Sequence, residues 1–201
     1  MSTSSRGFTL IEVLLVVTIM AILTVGSFSG MVSLQRSARV NETYSRLVTF
    51  LDLARNYALN GKQVNNKQAC PAETNGNCVP ASFGVSLMPD SACVNTSVRM
   101  ALFYSTKDDW NVNPDQILDS YCVPAKVGIE SSKTKGEFDG PNKFRYTTPF
   151  GIFRAVGLDE KNLAASALIL TICDTPANNA PCAASSLSKS LTLYTNVGVP
   201  E

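Results

Sequence analysis

The chain of 201 residues contains no histidine. That removes the commonest general base and the commonest protein ligand for metals, and it makes a Ser-His-Asp triad impossible. No surplus of charge exists either: 17 basic and 16 acidic residues leave a net +1. Nothing in that balance draws the chain to nucleic acid. There is no Gly-x-Ser-x-Gly elbow, no glycine-rich phosphate loop and no Cys-x-x-Cys pair, which argues against hydrolase, nucleotide and thioredoxin-type chemistry. Proline is missing from residues 8 to 60, and charge is missing from Val13 to Gln35. With these absences no catalytic constellation can be named, so the chain is expected not to be an enzyme and to use no cofactor and no metal.

What is present begins with "RGFTLIEVLLVVTIMAILTVGSFSGM", residues 6 to 31. At 1.5 Å per residue the uncharged run spans about 30 Å of hydrocarbon, so it is expected to cross a membrane once. An ordinary signal peptide has a shorter apolar core with a small-residue cleavage site behind it. Here the small residue, Gly7, stands in front. Cleavage after it would remove the leader "MSTSSRG" and keep the apolar segment.

Glu12 is the anomaly. A carboxylate at the bilayer centre costs roughly 2.5–3.5 kcal/mol, less near an end, and no lysine or arginine lies on the neighbouring turns. Cleavage at Gly7 would put a new α-amino group on Phe8, about one helical turn from Glu12. Between staggered, laterally packed helices, the amine of one copy can meet the carboxylate of the next. Desolvation offsets much of that attraction, so the pair would set axial register rather than supply bulk stability. A plain membrane anchor with a stray glutamate near the interface is the blander reading.

The order basic residue, Gly, aromatic, Thr-Leu-Ile-Glu and a long apolar run resembles the class III signal of type IV pilins and type II secretion pseudopilins. The resemblance implies several things. A prepilin peptidase would cut between Gly7 and Phe8, Phe8 would be N-methylated, and Glu12 would serve filament assembly. It implies other pilin or pseudopilin subunits and an inner-membrane assembly platform as partners. It also implies a life first in the inner membrane, with the globular part in the periplasm, and then in a pilus or pseudopilus. Many major pilins carry a proline near the position of Ser29; this chain does not.

Helical periodicity continues beyond the apolar run. Val40, Tyr44, Leu47, Val48, Leu51, Ala54 and Ala58 recur at three- and four-residue steps, while Arg36, Arg39, Glu42, Arg46, Asp52 and Arg55 occupy other faces. The pattern is amphipathic, and Asn60-Gly61 supplies the stop. One helix over residues 8–60 is expected, with Gly26 and Gly30 as its weak point. From Gly61 onward the candidate strands are Ser82–Leu87, Arg99–Tyr104, Lys143–Thr148, Gly151–Val156, Ala167–Cys173 and Ser190–Thr195, with "PFG" at 149–151 as a hairpin turn. The expected organisation is a leader at 1–7, a helix at 8–60 that is transmembrane then amphipathic, and a β-rich globular domain at 61–201. The fold class is α+β, pilin-like: a long N-terminal helix packed against an antiparallel sheet.

"RLVTFLDLARNYALNGKQV", "RYTTPFGIF" and "LILTICDTP" resemble the FimT/GspH-like branch of that family, which implies a minor pilin or a secretion pseudopilin. Some branch members bind DNA through a C-terminal Gly-Arg-x-Arg; the tail here, "YTNVGVPE", has neither arginine. Lys133, Lys135, Lys143, Arg145 and Arg154 offer a basic surface for DNA or another anionic partner. Loss of Arg6 with the leader would leave 16 basic against 16 acidic residues, which argues for the solvated face instead. Asp108 and Asp109 beside Trp110 read as a solvated loop before they read as an acid/base or calcium site.

All six cysteines lie downstream of the apolar run, at 70, 78, 93, 122, 173 and 182. An even count on one side of a membrane segment points to an oxidising compartment and disulfides. Proximity favours Cys70–Cys78, Cys93–Cys122 and Cys173–Cys182 among 15 possible connectivities. A zinc site and a redox-active pair are the competing readings.

Overall fold

The structure is a computed structural model. It describes residues 9–67, 69–70, 75–89, 93, 98–107, 116–133, 143–155, 167–175, 182 and 187–194; of these, the side chains at 25–29, 89, 131–133, 155, 167–168 and 194 are not described. The chain divides into two compact units, residues 1–38 and residues 39–201.

Helix α1 runs from Leu10 to Leu59. Thr9 precedes it, and the Thr9 carbonyl accepts hydrogen bonds from the Glu12 and Val13 amides at 3.1 and 3.3 Å. Thr9 is an effective N-cap residue, and Glu12 three positions on has the spacing of a capping box. The backbone stays helical through Gly26 and Gly30. At the other end Gly61 takes φ +56°. The Lys62 amide donates to the Tyr57 carbonyl at 3.0 Å and the Gly61 amide to the Ala58 carbonyl at 3.4 Å. This is a Schellman stop, and it is why the helix ends where Asn60-Gly61 says it should.

In the unit of residues 39–201, α1 buries Val40, Leu47, Phe50, Leu51, Ala54 and Ala58 in one core. Alanine at 54 and 58 lets the helix approach the strands closely. Among the described residues ten strands follow, and every pairing is antiparallel. β1 (Val64–Asn65) pairs with β2 (Asn77–Cys78). A five-stranded sheet has the order β5-β4-β3-β7-β8: Ile117–Cys122, Val98–Ser105, Ser82–Pro89, Lys143–Thr147 and Ile152–Ala155. A three-stranded sheet has the order β10-β9-β6: Ser188–Tyr194, Ala167–Asp174 and Val127–Lys133. The fold class is α+β, a long N-terminal helix followed by antiparallel sheets.

The core takes Phe83 and Val85 from β3, Met100, Leu102 and Tyr104 from β4, Phe144 and Tyr146 from β7, and Phe153 from β8. Leu170 and Ile172 of β9 join it. Tyr57 of the helix meets Phe83 edge-on, with ring centroids 5.6 Å apart. The opposite face of the larger sheet is also buried, at Ser82, Ser86, Ala101, Phe103 and Arg145. Burial on both faces is why "MALFY" at 100–104 is apolar without strict alternation. The β7–β8 hairpin turns through a cis Thr148–Pro149 bond and Gly151 at φ +62°, closed by the Gly151 amide donating to the Thr147 carbonyl at 2.7 Å.

Candidate functional site

The unit of residues 1–38 presents apolar surface. Every described side chain from Leu10 to Thr24 is exposed, with Leu10 at 81% and Ile11 at 75%. Each fully exposed aliphatic side chain forgoes about 1.5–3 kcal/mol of burial. A run of this kind is stable only against lipid or against other apolar helices. Its hydroxyls are already satisfied: Thr18 Oγ1 donates to the Leu14 carbonyl at 2.7 Å and Thr24 Oγ1 to that of Met20. Such back-bonding lets threonine enter an apolar medium at little cost.

Glu12 is the one charged residue between Gly7 and Gln35, and it lies in the first turn of α1. There the helix dipole favours a negative charge, which explains how the helix tolerates it. Gly7 and Phe8 lie outside the described residues. Among those residues no helix is long and apolar enough to cross a membrane. Exposed apolar side chains appear again at Met31, Val32 and Leu34.

The unit of residues 39–201 carries the three disulfides Cys70–Cys78, Cys93–Cys122 and Cys173–Cys182. No described cysteine is free. Among the described residues no group of His, Cys, Asp or Glu could hold a metal ion. The Cys182 amide donates to Glu130 Oε1 at 2.8 Å, which pins the second end of the last bridge to β6. Residue 128 of β6 is glycine, and a Cβ there would come 2.9 Å from Thr175 Cγ2 while meeting Cys173 Sγ and Cys182 Sγ at ordinary contact distances of 3.4 and 3.8 Å.

The basic residues do not form one exposed surface. Arg145 is 2% exposed, on the buried far face of β7, and this corrects its expected place on a solvated basic patch. Strand alternation puts residue 145 opposite Gly84 in the middle of the sheet, a position that periodicity alone does not reveal. Lys143 and Arg154 are half-buried. Lys135, the side chain of Lys133, the Asp108–Trp110 group and residues 195–201 of the tail lie outside the described residues.

Periodicity also missed Thr43, which is fully buried in the helix, and Tyr121, which meets the same helix from β5. Thr43 Oγ1 donates to the Arg39 carbonyl at 3.0 Å. The Arg46 guanidinium stands 5.7 Å from the Tyr121 ring centroid. Burial pushes the Tyr121 phenol up; a hydrogen bond with Thr43 pulls it down, Glu42 raises it by charge and hydrogen bonding, and Arg46 lowers it. Burial likewise pushes Tyr146 up to about 12, against a smaller lowering by Arg55 and with Asp52 adding to the rise. These contacts bind helix to sheet; they assemble no reactive group.

Residues 2–28 match the family model described as the prokaryotic N-terminal methylation motif. No curated protein and no solved structure gives a significant match. The motif supports a type IV pilin-like protein that is processed by prepilin peptidase and interacts with other pilin subunits. The methylation motif, on a long helix followed by antiparallel sheets, supports the type IV pilin and pseudopilin family for this chain.

Proposed function

We propose that this chain is a minor pilin of the FimT/GspH-like branch, a structural and assembly subunit of a type IV pilus. Prepilin peptidase cuts it between Gly7 and Phe8, and Phe8 is then N-methylated. The mature chain is a single-pass inner-membrane subunit, with helix 8–60 entering the bilayer and the 61–201 domain in the periplasm. An inner-membrane assembly platform then moves it into the filament. Glu12 accepts the Phe8 amine of a neighbouring subunit and sets axial register. One observation carries the reading: an exposed apolar helix face, at Leu10 to Thr24, holds a single acid in its first turn. Three disulfides in the globular unit suit a subunit displayed outside the cytoplasm.

The test is the chemistry of the mature N-terminus in sheared surface fibres. Mass spectrometry should find N-methylated Phe8 as the first residue, and Gly7→Ala should leave the leader attached. Normal processing of Gly7→Ala would overturn the assigned cut. Mature protein that never enters surface fibres but collects in a secretion-dependent periplasmic fraction would shift the reading to a pseudopilin of type II secretion. In a second reading the displayed domain binds DNA, and the burial of Arg145 removes one cation from the surface that would do so. A mobility shift at low salt would establish DNA binding.

A further inference from the structure

We infer that the end of the globular unit built from Leu59, Val79, Phe150 and Ile152 docks on an anionic phospholipid bilayer, a second one beside the bilayer that holds the apolar helix. The inference rests on the membrane anchorage proposed above.

The patch forms where α1 stops at Leu59. The β7–β8 turn folds over that stop, so close that a Cβ on Gly151 would come 2.8 Å from Leu59 Cδ2. Phe150 and Ile152, on either side of Gly151, are left outside, with Phe150 at 76% exposure. Beyond the stop, a Cβ on Gly61 would meet Val79 Cγ1 at 3.9 Å. The Thr148 amide donates to the Ala81 carbonyl at 2.9 Å, which ties the turn to the segment that carries Val79. Among the described residues of this unit five large apolar side chains are exposed; four are these, and the fifth is Leu118.

Cations surround the apolar tip. Arg55 is exposed, one helical turn before Leu59. Lys62 follows the stop, with Nζ 3.6 Å from the Tyr57 ring centroid. Arg154 shares a face of β8 with Ile152. The acid nearest to them along α1 is Asp52, three residues before Arg55. An apolar tip inside a cationic rim matches a layered partner, acyl chains under anionic headgroups. Phenylalanine, leucine and isoleucine enter the acyl boundary while lysine and arginine reach up to the phosphates.

Other partners fit less well. DNA would satisfy the rim and leave the apolar side chains without a contact. A stable protein interface takes ~800 Å² from each partner, about twice the ~400 Å² that these four side chains offer. A second copy using the same patch would set two cationic rims against each other. Leu59 lies about 30 Å along α1 from Arg39, the first residue of this unit. A headgroup layer is only about 5–8 Å thick, so the occupant is a second bilayer.

The experiment reconstitutes the full-length chain through its apolar helix into phosphatidylcholine vesicles, with flotation as the check on anchorage. These vesicles are immobilised, and fluorescent vesicles of phosphatidylcholine, with or without phosphatidylglycerol, are added and their capture counted. Vesicles with phosphatidylglycerol should be captured in preference, and less so at high salt. Phe150→Ser/Ile152→Thr should lower capture at least about tenfold. Phe150→Leu should keep it, which separates loss of the apolar tip from misfolding. Arg55→Gln and Lys62→Gln should each lower it about fivefold. Equal capture of both vesicle types, or full capture by the double variant, would overturn the inference. So would clustering of the protein-bearing vesicles with one another alone, since the occupant would then be another copy of the chain. A chain that does not float lacks the anchor, and the proposed function and the inference fall together. A chain that floats but captures nothing sinks the inference alone.

Discussion

Gly84 of β3 lies opposite Arg145 of β7, and the two backbones approach so closely that a Cβ on residue 84 would come 2.9 Å from Arg145 Cα and overlap the Phe144 carbonyl oxygen. The obstruction is backbone, which no rotamer change relieves. Gly84→Ala is therefore expected to prise β3 from β7 and destabilise the globular unit by about 3 kcal/mol, the upper end for overpacking. Denaturant unfolding followed by tryptophan or tyrosine fluorescence checks it. Gly30→Ala is the contrast, since a Cβ there meets nothing within 4 Å; helix propensity should make that change neutral or stabilising by up to about 1 kcal/mol.

Glu12 has two possible tasks, and two substitutions separate them. In a capping box glutamine replaces glutamate with little loss, because either side chain can reach back to the Thr9 amide. In an ion pair with a neighbouring Phe8 amine, glutamine fails because it carries no charge. Under the proposed function, Glu12→Gln and Glu12→Ala should both be cut normally and both lose most of their incorporation into fractionated fibres. Glutamine incorporation at the unaltered level would leave Glu12 a capping residue only.

Tyr146 makes stability depend on alkaline pH. Its phenol ionises at about 12 in the fold against 10.0 in the open chain. Between those values the unfolded state loses the proton and the folded state keeps it, so stability falls as pH rises. Below pH 10 the group contributes no slope. Across the window the loss is on the order of 2–3 kcal/mol. Unfolding midpoints measured from pH 9 to 12 should drop, and Tyr146→Phe should flatten that drop.

The disulfides differ in worth through the loops that they close. By chain entropy, replacing both Cys93 and Cys122 with serine should cost about 3.5 kcal/mol, and replacing either short-loop pair about 2.5 kcal/mol. Thermal unfolding of the three paired variants ranks them. Equal losses, or a larger loss for Cys70 and Cys78, would mean that native contacts outweigh loop closure.

Much of this protein is written in local order. The apolar run, Glu12 at its head, the amphipathic stripe from Val40 to Ala58 and the Asn60-Gly61 stop depend on spacing along one helix, and α1 at Leu10–Leu59 follows them. Six strands follow from short apolar runs bounded by turn residues, and the cysteine bridges join sequence neighbours. Tertiary structure decided the rest. β5 and β6 have no clean alternation, since "ILDSYC" is a mostly exposed edge and "VGIESSK" begins on a glycine-bearing strand over a disulfide; partners rather than composition make them strands. Arg145 is charged, and so it reads as surface, yet register sets it opposite Gly84 between buried faces. Local spacing fixes which face of a helix is apolar. Only long-range strand pairing fixes which polar side chains are enclosed.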